Sequence, residues 1–118
     1  MKVTIKQILN ARDVLSRLAE RTLPVKQSYR LAKLIKAVNE EFAVYDGERI
    51  KICEKHGVLN KGKNQYDIND WDGLRKDMQT LESQEVDLDV KPIDISGLEL
   101  SAQDIISIEP FIEVIDDD

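Results

Sequence analysis

Apolar side chains recur along the first half of this chain with the period of a helix. Ile5, Ile8, Ala11, Leu15, Leu18 and Thr22 fall on one stripe, widened by Leu9, Val14 and Ala19. That spacing predicts an amphipathic helix over residues 5 to about 21, with Thr4 placed to cap its start. The link Thr22-Leu23-Pro24 reverses the chain, and Pro24 suits the first turn of a second helix, where its missing N–H is no loss. From there Leu31, Ile35, Val38, Phe42, Tyr45, Arg49, Ile52 and His56 alternate steps of four and three. This heptad-like seam predicts a helix over about 24–56 packed lengthwise against another. Two polar interruptions favour an intramolecular antiparallel αα-hairpin over a long two-stranded coil. At about 1.5 Å per residue the first helix covers roughly 25 Å and the second nearly twice that. The far half of the second helix therefore overhangs and needs another partner, and Gly47 offers a place where it can bend.

After His56 the period changes. Residues 58–68 read as a β-hairpin, with Gly62 expected at positive φ in the turn and Gly57 as the glycine that stops the preceding helix. A third helix follows, capped by Asn69 or Asp70 and carrying Asp72 in its first turn. Its stripe of Trp71, Leu74, Met78 and Leu81 is the natural partner for the overhang, with Trp71 expected as the main anchor against Phe42, Tyr45 or Ile52. Val86, Leu88 and Val90 alternate with Asp87 and Asp89, and Pro92 shifts the phase to Ile93 and Ile95. This predicts an edge strand broken or bulged at Lys91-Pro92, one that could extend the hairpin into a three-stranded sheet. Ser101 and Asp104 form a capping pair, with Leu100 and Ile105 at the staple positions, so a short helix runs over about 102–108 and stops near Pro110.

The fold class implied is α+β, mainly α: an antiparallel αα-hairpin with one overlong helix, a third helix, and a small β-hairpin and edge-strand element. At 118 residues a single domain over 1–118 is expected. It divides into a basic helical hairpin (1–56), a hairpin, helix and edge strand (57–95), and a short capped helix with an acidic tail (96–118).

Charge changes the picture more than composition does. The chain carries a formal −6, but residues 1–64 hold 14 Lys and Arg against 7 Asp and Glu. Residues 65–118 hold 3 against 16. A split of +7 and −13 fits two halves that pack together, or protomers that meet head to tail, so a homo-oligomer is expected. The basic patch comprises Arg12, Arg17, Arg21, Lys26, Arg30, Lys33 and Lys36. The last apolar residues, Phe111, Ile112, Val114 and Ile115, lead into Asp116, Asp117 and Asp118, and all seven are candidates for binding a partner protein. Self-association is expected to place the apolar tail on a neighbour's surface. Hydrophobic residues make up 42%, enough for a core. No apolar run approaches membrane-spanning length, so a soluble protein without membrane contact is expected.

Catalytic chemistry finds little support. Five scattered glycines make no phosphate loop, and the single cysteine, Cys53, excludes an internal disulfide and paired-cysteine metal sites. His56 is the only histidine and reads as structural. Asp67, Asp70, Asp72 and Asp77 match no calcium-loop spacing, and Asp70 and Asp72 are better explained as acids at a helix start. No catalytic residue, cofactor or metal is expected, and the protein reads as a non-enzyme.

Two stretches carry a resemblance. Leu23-Pro24-Val25-Lys26, Ser28-Tyr29 and Leu31-Ala32-Lys33 resemble a run in small proteins of tailed bacteriophages and prophages. So does the ending Leu100-Ser101-Ala102, Asp104-Ile105-Ile106 and Ile108-Glu109-Pro110-Phe111-Ile112. The resemblance implies a phage source and an accessory or assembly role, in the host bacterial cytoplasm or within the virion, and no catalytic residue. The leading expectation is a non-enzymatic, phage-encoded protein-binding factor acting on a virion-assembly or host protein, including a defence component. A structural component of the particle is the alternative. Nucleic-acid binding through the basic hairpin ranks below both, because aromatic residues are not interleaved with the basic ones and the isoelectric point is near 4.8.

Overall fold

The computed structural model describes residues 1–115; Asp116, Asp117 and Asp118, included among the candidate partner-binding residues, lie outside them. The chain begins with a short strand, β1 (Lys2–Thr4), and enters helix α1 (Ile5–Ala19) through a complete capping box. Thr4 Oγ1 accepts from the Gln7 amide at 3.1 Å, and Gln7 Oε1 accepts from the Thr4 amide at 2.8 Å. Two of the helix's first free N–H donors would otherwise face solvent; such a cap is worth about 1 kcal/mol.

Helix α2 (Val25–His56) turns back antiparallel to α1 and runs unbroken for 32 residues, past Gly47. At about 1.5 Å per residue it measures roughly 48 Å. It sets the long dimension of a molecule measuring 55 × 27 × 25 Å. The overhang is real. α1 covers only the first half of α2, where Leu31, Leu34 and Val38 are buried among Ile8, Ala11, Leu15 and Leu18. Leu34 lies one position off the expected seam, yet it is fully buried while Ile35 is half-buried. The buried stripe is wide enough to take a residue on either side of the heptad line.

Strands β2 (Gly57–Asn60) and β3 (Gln65–Ile68) form the expected hairpin at the far end, with Leu59 opposite Tyr66. Its glycines behave otherwise than expected. Positive φ falls on Asn64 (53°), not on Gly62. Gly57 is extended rather than left-handed; its need for glycine is steric, because a Cβ there would sit 2.6 Å from the Asp67 carbonyl oxygen.

Helix α3 (Trp71–Glu82) runs back along the overhang, capped by Asp70 Oδ1, which accepts from the Gly73 amide at 3.0 Å. The chain then reaches the start of α1, where Gln84 accepts a backbone hydrogen bond from Ile5. Strand β4 (Glu85–Asp87) consequently pairs antiparallel with β1, Val3 facing Val86, and does not extend the hairpin. The expected three-stranded sheet is replaced by three separate two-stranded ones. A 12-residue helix carries the chain about 18 Å from the hairpin, so its edge is out of reach.

The third pair corrects the reading of the tail. Strand β5 (Ile93–Asp94) pairs parallel with β6 (Ile112–Glu113), after the capped helix α4 (Ala102–Ile108) and a 3₁₀ turn (Glu109–Phe111). Ser101 Oγ accepts from the Asp104 amide at 3.1 Å, as the capping pattern predicts. Phe111 is fully buried and Ile112 packs on the same core, with Ile93, Ile95 and Ile108. The capped helix and proline turn swing both onto their own chain, which encloses Phe111 wholly and Ile112 in part. Val114 and Ile115 remain exposed.

Candidate functional site: the far end of the long helix

The far end is built by α2, the hairpin and α3, and a histidine ties them together. His56, the last residue of α2, is 8% exposed. Its Nδ1 lies 3.0 Å from Asp70 Oδ2 and its Nε2 lies 2.7 Å from Asp77 Oδ2. Ionised carboxylates only accept, so both nitrogens are engaged when each carries its hydrogen. The His56 carbonyl in turn accepts from the amides of Asn69 (2.9 Å) and Asp70 (3.3 Å). Lys55 Nζ adds a bond to Asp77 Oδ2 at 3.0 Å.

This clamp sets the carboxylates' acidity. The Gly73 amide, followed by His56, holds the Asp70 carboxyl below its ordinary value. His56 and then Lys55 do the same to Asp77. Gly73 is what lets the helices meet this closely: a Cβ there would lie 2.6 Å from His56 Cε1 and collide with Asp70. On the other side of His56, Tyr66 Oη donates to Glu54 Oε1 at 3.1 Å and fixes the hairpin to α2. Both imidazole nitrogens face carboxylate oxygens, so the ring is held between Asp70 and Asp77. Among the described residues no group of three or more His, Cys, Asp or Glu is arranged to hold a metal ion. Cys53 is half-buried and free.

Trp71 departs most from expectation. It is 56% exposed instead of anchoring α3. The side of α3 that meets α2 carries Gly73 and Asp77, which turns Trp71, at the first helical position, onto the rim; Met78 and Leu81 pack on the core instead. Val58 and Leu59 of the hairpin are exposed as well. Around Trp71 stand Asp72, 95% exposed and paired with Arg75 at 2.6 Å, and Asp70, 54% exposed. An indole flanked by paired acids, carried by a clamped helix, is therefore presented to solvent.

The basic patch is broken up. Arg12 lies over the Phe42 ring, 3.4 Å from its centroid. Arg17 grips Asp104 of α4 with both terminal nitrogens, at 3.0 and 3.3 Å, which raises its pKa further. Arg21 donates to the Glu99 carbonyl at 3.0 Å. Arg17 and Arg21 tie the end of the first helix to the C-terminal half, and the Arg17–Asp104 pair resolves part of the charge split within the chain. Lys26, Arg30, Lys33 and Lys36 remain along α2. The sequence missed the clamp because its three members lie 7 and 14 residues apart on two elements. The one available signal was His56 on the apolar seam, where a histidine needs buried partners.

No helix is long and apolar enough to cross a membrane, among the described residues. Comparison with family models, with curated proteins and with solved structures returns no match.

Proposed function

We propose that this protein is a non-enzymatic, protein-binding accessory factor that docks through the far end of α2 and α3. The exposed Trp71 carries the reading. Leaving a large indole in water forgoes the favourable burial of its ring, and tryptophan is among the residues that dominate protein interfaces when a partner encloses it. The clamp beneath it supports the reading, since a preorganised anchor loses less entropy on binding. The exposed indole favours a partner with an apolar pocket. The resemblance to small phage proteins supports a virion-assembly or host protein as that partner, with a place in the particle itself as the alternative. Self-association is the other use of such a surface, with Val114 and Ile115 available to it.

A photo-crosslinking amino acid at position 71, introduced in cells that express the protein, identifies the partner; binding is then measured with both purified proteins. Trp71→Ala should weaken that binding at least about tenfold, the loss expected of an interface hot spot. Equal affinity of both chains for every crosslinked protein would remove the proposal. Light scattering of the full chain separates self-association, and purified particles show whether the protein is part of them.

A further inference from the structure

A second site lies at the opposite end of α2 and does not depend on the docking surface. The first turns of α2 and the stretch joining β4 to β5 enclose an open cleft of about 810 Å³. Tyr29, Arg30 and Lys33 line one wall; Asp87, Asp89 and Lys91 line the other. A volume of this size lies within the roughly 300–1,000 Å³ range of small-molecule sites.

The charges in it are unequally committed. Asp87 is engaged by the amino group of Met1 at 3.2 Å. Arg30, Lys33 and Lys91 form no close ion pair with another described residue, although, behind the hydrogen bonds from Ser96, the charge of Arg30 also helps hold the nearby Asp94 carboxyl below its ordinary value. Among the side chains lining the cleft, three cations thus stand against one carboxylate not engaged by Met1, Asp89, and the walls concentrate their field on an anion. The ring of Tyr29 is 62% exposed at the same mouth. Lys33 Nζ stands over one face of the same ring, 4.9 Å from its centroid.

We propose that this cleft binds a nucleoside phosphate. Arg30, Lys33 and Lys91 take the phosphate, the Arg30 guanidinium with its paired N–H donors and the lysines as point charges. Tyr29 stacks on the base, and Asp89 accepts from a sugar hydroxyl or an exocyclic amine. A nucleic-acid strand fits less well. It needs a continuous basic track, whereas Arg12, Arg17 and Arg21 are occupied within the chain.

The test is a titration of the isotope-labelled full chain, read by amide chemical shifts, with AMP, adenosine and inorganic phosphate as separate probes. AMP should shift the amides of residues 29–33 and 87–91 and bind at least about tenfold tighter than either part alone. Lys91→Gln, an exposed change, should weaken AMP by about tenfold, the worth of one charge-assisted contact. Tyr29→Ala should reduce AMP binding to the level of inorganic phosphate while leaving the phosphate affinity unchanged. Absence of shifts at millimolar AMP, or AMP binding unaltered by both substitutions, overturns the proposal. A short oligothymidylate that binds far tighter than AMP and extends the shifts to Lys26 and Lys36 would overturn it in favour of nucleic-acid binding.

Discussion

The two ends of α2 are held by different physics. Around its first half the core is apolar: Ile8, Leu15, Leu34, Val38, Ile93, Ile108 and Phe111 are all fully buried there. Around its second half only Tyr45 and His56 are buried, and α3 has no fully buried residue. What holds the far end is the His56 clamp, the Lys55–Asp77 pair and the Tyr66–Glu54 bond, supported by half-buried Phe42, Met78 and Leu81. Apolar burial is nondirectional and adds with area, whereas a polar clamp depends on geometry and on charge. The near end should therefore be the cooperative body, and the far end a locally openable unit whose stability follows pH.

The largest effect should come from the near end. Phe111→Ala empties a fully enclosed site and should cost about 3–5 kcal/mol, lowering the urea midpoint for the whole chain. If instead only the β5–β6 region loosens, the near end is not one cooperative body.

Gly73→Ala comes next. Its Cβ must displace Asp70 or His56, so about 1–3 kcal/mol should be lost, as for an overpacked contact. Amide exchange should quicken through α3 and the hairpin while α1 keeps its protection. Equal acceleration in α1 would show that the two ends open together.

Acid sharpens the same contrast. Asp70 and Asp77 are both held below their ordinary value of 3.8. A depressed carboxyl stabilises the fold fully above its unfolded value and loses that contribution as pH falls through its folded one. Acidification below about 4 should thus release α3 before α1, seen as earlier loss of α3 amide protection. Asp77→Asn should remove part of this dependence; simultaneous loss in both helices would contradict it.

The smallest stability effect should belong to the largest side chain at the far end. Trp71→Ala, at an exposed position, should shift stability by no more than about 0.5 kcal/mol. A loss of several kcal/mol in the urea midpoint would make Trp71 a packing residue after all.

The hairpin of α1 and α2, the overhang, the cap at Thr4 and the Ser101–Asp104 cap were all determined by the sequence on its own. Each rests on a local period or on residues within one turn, which the chain carries wherever it folds. Strand pairing was not legible. Val86 can pair with any free edge, and only the return path of α3 brought it to Val3 instead of to the hairpin. The fate of the tail was decided in the same way: its apolar residues announced burial, but whether on this chain or another depended on where α4 aimed Phe111. The rotation of α3 that exposes Trp71 was equally hidden, because an apolar stripe specifies a face only to within the width of a side chain. The close approach at Gly73 and the paired carboxylates on His56 chose among the rotations that the stripe allowed. Local pattern names the elements; only contacts between residues far apart in the chain determine how those elements are turned and joined.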